Sequence, residues 1–499
     1  MERSEHAALK LEAPKLRSID IAGGSSAVNA WWLFCALVFA LKLLLFWLDP
    51  APKLFMGDSG AYVHTALTGW IPADRSYFYG YLIRWLAVWP HGFGPLVVVQ
   101  TVASGVTAIV FALICSRYFA MANSLSFLFG FLCALDPCQL VWERYIMTET
   151  FSLLLYVLVL YWSFAYLRDQ RLWQLAVVQA LSVLLIGFRM SYLLIVQACT
   201  ILLPLIAFAS RVRPVLINRS GSRVVRRGVL LTGLAHVVAS ILMMLVLHGA
   251  YKYANGRLSH REPDYLYETG AHLASVWAPA LQPSDATDRR FGDIIANEQI
   301  KIKNLRLRNA QQFGKGLLMD RWHEIEKDVR TNDRVARETA MNALRRRPFE
   351  ILSLAIKTYE GYWIPRDIRW YARTDLGYGK VNDEARKMFA ENFDFQAVKD
   401  LREQRQSLLQ QCFLGSLPYY LILTVSPLLC AFATWLSRDR AFAFLLFIHA
   451  SILMVVATAL SPQACVRYLQ PVSLLTLLSI AICADSRTPK AGPAMQSTS

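Results

Sequence analysis

Long apolar runs separated by short polar stretches set the layout of this chain. An α-helix needs about 20 apolar residues to cross a bilayer core. Residues 31–48, 95–115 and 151–167 each read as one such span, and 125–135 as a shorter one. Residues 172–209 stay apolar for nearly twice the length of a span and are interrupted only by Arg189. The run divides there into two spans joined by a tight turn. Residues 228–250, 413–436, 441–460 and 468–484 complete an expected set of ten. The fold class expected is an all-α polytopic membrane protein.

The polar stretches orient these spans. Residues 211–227 carry six arginines and no acid, and such basic loops stay on the cytoplasmic side. Ten spans with both ends inside satisfy that loop, the turn 437–440 and the tail 486–499. Residues 1–30 read as a cytoplasmic tail and 31–250 as spans one to seven. Within them, residues 49–94 form a first outer loop. In that loop residues 77–89 are aromatic and broken by Arg84, which suits a helix lying in the interface. A short span is the competing reading. Residues 251–411 form a helix-rich outer segment, and 412–485 the last three spans. Within the outer segment, residues 349–363 alternate polar Glu350, Ser353, Lys357 and Glu360 with an apolar face, as an amphipathic interfacial helix does. Arg345, Arg346 and Arg347 precede it. They read equally well as phosphate or headgroup contacts and as a solvated helix end.

Composition narrows the class. The chain is 55% hydrophobic with a net charge of +16. In a membrane protein that excess meets headgroups and sets orientation, so no nucleic-acid partner is expected. The nine cysteines fall mostly in apolar runs without paired spacing and read as small buried hydrophobes. No cleavable signal peptide is expected; the first span serves as a signal anchor.

With this parity, Asp58, Glu143, Arg144, Glu149, Arg189 and Arg467 gather at the outer face. Charges beside a membrane are costly and mark function. No phosphate loop, dinucleotide fingerprint, zinc motif or serine-hydrolase elbow is present, so no metal or cofactor is assigned. What remains is acids and arginines, which suits transfer from a phosphate-linked donor. A carboxylate takes the acceptor's proton, and arginines hold the leaving phosphate. Asp58 is the candidate base. Arg144, Arg189 and Arg467 are candidate phosphate partners, with Glu143 and Glu149 orienting them or sugar hydroxyls. Taken singly, each residue has a structural alternative: Asp58 as a helix N-cap, Glu143 and Arg144 as loop solvation, Glu149 as a cap.

The order of these features resembles a known family. Asp58 is followed by Tyr62 and Ala66; Pro137 and Glu149 precede an apolar span; Arg467-Tyr468-Leu469-Gln470-Pro471 comes late. This layout is similar to the integral-membrane glycosyltransferases of the GT-C fold. Members of that family similar to protein O-mannosyltransferases and lipid A aminoarabinose transferases use a polyprenyl-phosphate-linked sugar. The resemblance implies sugar transfer from a polyprenyl-phosphate carrier to a glycan, lipid or protein acceptor, with Asp58 as base. Tyr62, Glu149, Arg467 and Tyr468 belong to the matching motifs, and with Glu143, Arg144 and Arg189 from the charge inventory they make the expected substrate contacts. The resemblance also implies a transfer with little or no dependence on a metal. Many relatives carry a second acid after the first, where this chain has Ser59. The expected setting is a bacterial inner membrane with the active site facing the periplasm. A transporter or lipid-linked sugar flippase, and an O-antigen-ligase-like enzyme, are the alternatives.

Overall fold

The computed structural model describes residues 25–217, 223–377, 379–437 and 439–486. Most of the expected tails, with Arg219, Tyr378 and Arg438, therefore lie outside the described residues. Among the described residues every regular element is helical, and extended pairing is confined to two isolated bridges, Lys53 with Tyr145 and Lys380 with Asp400.

The chain opens with α1 (Ser25–Leu48), α2 (Met56–Thr68), α3 (Phe78–Ile83), α4 (Gly94–Phe119), α5 (Asn123–Ala134), the short α6 (Pro137–Trp142) and α7 (Glu149–Asp169). Next come α8 (Leu172–Phe188), α9 (Leu193–Ile217) and the long α10 (Arg223–Ser259). The polar segment folds into α11 (Thr269–Val276), α12 (Arg289–Asn297), α13 (Gln299–Ile302), α14 (Leu318–Ile325), α15 (Val329–Arg346), α16 (Pro348–Trp363), α17 (Pro365–Asp375) and α18 (Asp383–Phe393). The chain then returns through α19 (Leu408–Gly415), α20 (Leu417–Thr424), α21 (Ser426–Leu436), α22 (Arg440–Ala459) and α23 (Gln470–Ser486).

Among the described residues seven helical stretches are long and apolar enough to cross a membrane, and α20 with α21, bent by 60°, would make an eighth. The expected spans at 125–135 and 172–188 are realised as the shorter apolar helices α5 and α8. The break expected at Arg189 is present. There α8 ends at Phe188, Arg189 is extended at φ −148°, and a 3-10 turn at Met190–Tyr192 starts the next span. The aromatic stretch at 77–89 forms α3 and a π-helical turn at Arg84–Val88, well short of a span. Its Trp85 and Trp89 are exposed and stacked.

Burial ranks the spans. The stretch Val466–Asp485 is 78% buried and forms the centre of the bundle, whereas α1 and α10 lie at its edge, 17% and 11% buried. The polar segment has its own apolar core around Phe291, Trp322, Val335 and Ala340. It docks on one end of the bundle through Trp277, whose Nε1 donates to the Ala459 carbonyl (2.8 Å), and through Tyr362, whose hydroxyl donates to the Cys465 carbonyl (3.0 Å).

The apolar face expected at 349–363 divides in two. Ile351 and Leu354 of α16 are buried, while Phe349, Leu352 and Ile356 stay exposed. The arginines before it are largely committed to the fold. Arg347 pairs with the fully buried Asp285 and donates to the Ala280 carbonyl, and Arg346 donates to the Ser284 carbonyl. Arg346 and Arg347 thus hold the polar segment's own loop at 280–285, and Arg347 is not the solvated helix end of the simpler expectation.

Candidate functional site

The first turn of α2 is fixed from behind. Ser59 is fully buried; its hydroxyl accepts the Phe55 N–H (2.9 Å) and donates to the Ile146 carbonyl (2.9 Å). Successive helical residues point about 100° apart, so seating Ser59 turns Asp58 toward the opposite side. An acid at position 59 would bury a charge against a carbonyl oxygen, which explains a serine there on physical grounds.

On its open side Asp58 meets two arginines. Its Oδ2 accepts from Arg467 Nη1 at 2.6 Å, and its Oδ1 lies 2.9 Å from Arg75 Nη2. Arg467 comes from a 3-10 turn, Val466–Leu469, that leads into the central helix α23. Asp58 and Arg467 are 409 positions apart in sequence, so only the tertiary fold joins them.

A second acid closes the cluster. Glu149, the first residue of α7, lies 3.5 Å from Arg467 Nε and 3.4 Å from Arg189 Nη1. Arg189 Nη2 also donates to the Arg467 carbonyl at 3.5 Å. Aromatic faces flank the guanidinium groups: Arg467 sits over Phe55 (5.0 Å) and Tyr468 (5.8 Å), Arg189 over Tyr468 (5.4 Å), and Arg75 over Tyr62 (5.4 Å). The structure thus brings together Asp58, Tyr62, Glu149, Arg189, Arg467 and Tyr468.

Glu143 and Arg144 belong to a different network. Glu143 Oε1 accepts from Lys42 Nζ (2.5 Å) and from Ser104, all of them buried. Arg144 Nε donates to the Asp49 carbonyl (2.6 Å) and its Nη1 to Thr101 (2.9 Å). These residues tie α1 and the strand-like residues after it to α4 and the 143–146 segment, and they do not face the cluster.

Sequence reasoning missed Arg75, Asp375 and Lys42. Arg75 had no signal beyond being a cation in the same loop as Asp58. Lys42 did have one: it is a lone charge inside an apolar run, and such a charge needs a partner. Asp375 ends α17, and its carboxylate accepts the Arg467 backbone N–H (3.0 Å).

The electrostatics favour an anion. Burial pushes the Asp58 carboxyl up, but Arg75 and Arg467 outweigh it and hold the group below the usual carboxylate range. Burial pushes the Tyr62 phenol up to about 12, so it stays a neutral hydroxyl. Three guanidinium groups face two carboxylates at the centre, with Asp74 3.3 Å from Arg75 at the rim. Glu149 Oε2 and Arg75 Nε are buried without a hydrogen-bond partner, and Arg189 Nη1 and Arg467 Nε meet Glu149 Oε1 at ion-pair distance without a formed hydrogen bond. Buried polar atoms are rarely left so, and spare donors on arginines are the features that hold a phosphate. Asp58, Arg75 and Arg467 keep 15–17% of their side chains exposed, so the site is reachable. Among the described residues no group of three or more His, Cys, Asp and Glu could hold a metal.

An open apolar groove of about 330 Å³ runs between α16, the α20–α21 bend and α22, lined by Leu352, Ile356, Tyr359, Leu428 and Val455 among others. Beyond it, α16 reaches the Cys465 turn through Tyr362. No known protein family, curated protein or solved structure matches this chain.

Proposed function

We propose that this protein is a membrane glycosyltransferase that moves a sugar from a polyprenyl-phosphate carrier to a glycan, lipopolysaccharide or protein acceptor. The observation that carries the reading is the Asp58–Arg467 pair, with Arg75, Glu149 and Arg189 around it. These are the groups such a transfer needs, gathered at one end of a bundle of membrane-length helices. Arg467, Arg75 and Arg189 bind the phosphate that links sugar to lipid. As it binds, the phosphate competes with Asp58 for the guanidinium groups and frees the carboxylate. Asp58 then takes the proton of the acceptor hydroxyl as that oxygen attacks the anomeric carbon. The anomeric C–O bond breaks, and the polyprenyl phosphate leaves with the electron pair, stabilised by the arginines. Glu149 keeps Arg189 and Arg467 in place. The carrier's hydrocarbon chain lies in the groove beside α16, where the exposed apolar side chains of Leu352, Ile356, Leu428 and Val455 face it.

In this reading all ten apolar segments cross, including α5, α8 and the bent α20–α21 pair, and the cluster faces the periplasm of an inner membrane. The test is sugar transfer in membranes given a polyprenyl-phosphate sugar pool, comparing wild type with Asp58→Asn at matched protein level. Removing a general base costs roughly 10²–10⁴-fold, and a loss of that size is expected. Full transfer by the variant would move the base to another residue.

A transporter or lipid-linked sugar flippase is the second reading, favoured by the 60° break between α20 and α21, since broken helices mark many transporter sites. Against it, the charges of the cluster sit at a bundle end. Mid-span His449 is held between Tyr156 (3.0 Å) and Cys199 (3.1 Å), as an interhelical hydrogen bond is. Failure of transfer by wild type across several donors would put this reading first.

A further inference from the structure

Three consecutive residues at the end of α17 each touch a different part of the site. Asp375 is buried; its Oδ2 accepts the Arg467 N–H (3.0 Å) and its Oδ1 the Cys465 thiol (3.2 Å). Leu376 presents its carbonyl to the Tyr145 hydroxyl, beside the segment that seats Ser59. Gly377 has φ +101°, and a Cβ there would lie 3.0 Å from the Leu54 carbonyl, just before the Asp58 turn. The cluster itself is assembled from α2 and the loop after it, α7, the end of α8 and the 3-10 turn. The α17 end thus lies against both the Leu54 backbone before Asp58 and the backbone of Arg467.

The turn that carries Arg467 needs such a hold. It is a short 3-10 turn between Cys465 and α23, and the Arg467 guanidinium extends from it to Asp58. Three contacts fix it: Tyr362, whose hydroxyl accepts the Cys465 N–H (3.0 Å) and donates to its carbonyl, Arg189, whose Nη2 donates to the Arg467 carbonyl (3.5 Å), and Asp375. The groups facing Asp375 are Arg467 and Cys465 from the turn, Tyr362 from α16, Tyr145, Cys138 from α6 and Tyr420 from α20. Only Arg467 among them is charged at neutral pH. Its guanidinium is already engaged with Asp58 and Glu149.

We propose that Asp375 is a positioning residue that locks the Cys465–Arg467 turn, and with it the Arg467 guanidinium, into the geometry that receives the donor's phosphate. The proposal rests on the glycosyltransferase reading for the identity of that phosphate, but its geometric half does not. Through Asp375 the docking of the polar segment and the shape of the anion site become one event.

The experiment uses the full chain in detergent micelles and two readouts. The first is hydrogen exchange at the Arg467 amide, resolved on peptides covering 463–470. The second is binding of undecaprenyl phosphate by thermal shift. Asp375→Ala is expected to speed exchange of the Arg467 amide at least tenfold and to weaken binding at least tenfold. Asp375→Asn keeps an acceptor of the same size and is expected to restore both to within about threefold of wild type. Unchanged exchange in Asp375→Ala overturns the proposal, as does an Arg467 amide that is already unprotected in wild type. If Asp375→Ala fails to fold, Asp375→Asn carries the test: an Arg467 amide that exchanges more than tenfold faster than in wild type overturns the proposal. Equal losses in the Ala and Asn variants also overturn it, because they would show that the charge of Asp375, and not an acceptor at that position, holds the turn. No binding by wild type, with protection behaving as expected, sinks the glycosyltransferase reading and leaves the positioning role standing.

Discussion

At the scale of single residues, the sequence exposed charge but not direction. Asp58, Glu149, Arg189 and Arg467 are conspicuous because each interrupts or borders an apolar run, and the structure places all of them within one cluster. Glu143 and Arg144 look the same in sequence, yet they point into a buried lock with Lys42 and Asp49. Which way a loop side chain points depends on contacts formed many residues away, and no local pattern encodes that. Asp375 was illegible for a related reason: its partner is a backbone N–H, which every residue but proline offers. Its titration yields a prediction. Burial pushes its carboxyl up to about 6, against the pull of Arg467. The folded state then binds the proton more tightly than the unfolded chain. The stability it contributes is complete below the ordinary carboxylate value of 3.8 and is lost as pH rises through about 6. A shift of roughly two units corresponds to about 3 kcal/mol. Asp375→Asn should therefore melt close to wild type at pH 4 and above it at pH 7.5. Thermal melting across that window checks the sign; a variant less stable than wild type at pH 7.5 would show that the carboxylate stabilises the fold as well as positioning Arg467.

At the scale of elements, periodicity and length were enough to locate most helices, and a single arginine located the break between α8 and the next span. What they could not show is how an edge helix is held. α1 exposes Trp32, Leu33, Leu43 and Trp47, and only 17% of its apolar stretch is buried. Its anchor is Lys42, which donates to the Ala134 carbonyl (2.6 Å) and pairs with Glu143 (2.5 Å) deep among α4 and the 143–146 segment. From there the connection continues: Arg144 holds the Asp49 carbonyl, the Lys53 N–H donates to the Arg144 carbonyl (2.7 Å), and Ile146 receives Ser59. The lock therefore reaches Asp58 through backbone. Removing one partner of a buried pair costs about 3–5 kcal/mol, while replacing both with apolar residues of similar volume is often neutral. Lys42→Met alone and Glu143→Leu alone should each lower the melting temperature sharply, and the double variant should recover most of it. A double variant as unstable as the worse single one would mean that Ser104 and Arg144, left with unmet bonds, dominate the lock. The groove beside α16 makes a separate prediction at this scale. Val455→Trp adds a ring at a half-exposed position on the groove wall. Under the proposed glycosyltransferase function it should raise KM for a polyprenyl-linked donor several-fold and leave KM for a short-chain analogue unchanged.

At the scale of the whole molecule, the reading depends on which side of the membrane the cluster faces. Composition and hydropathy give the class directly, but the count of crossings hangs on short elements. α5 and α8 are below the usual span length, and α20–α21 is bent. Each one that failed to cross would invert everything after it. The geometry adds a constraint that the sequence lacked. Asp58 follows α1, Glu149 begins α7, Arg189 ends α8 and Arg467 precedes α23, yet all four meet. The ends of α1, α7, α8 and the last span that carry these residues must therefore lie on one side, whatever α5 and the bent pair do. The polar segment docks on that same end through Trp277 and Tyr362, so its surface reports the side of the cluster. Ile300 is 92% exposed on that segment, and Arg171 is exposed at the opposite end of α7 and α8. Cys412 is the one cysteine that is exposed among the nine, so Cys412→Ser gives a quiet background. In intact cells a membrane-impermeant maleimide should label Ile300→Cys and not Arg171→Cys, and lysis should make Arg171→Cys reactive. The reverse pattern would place the anion cluster in the cytoplasm, where nucleotide sugars and free phosphates compete for its arginines. A periplasmic lipid-phosphate transfer would then be excluded even though every distance in the cluster stayed the same.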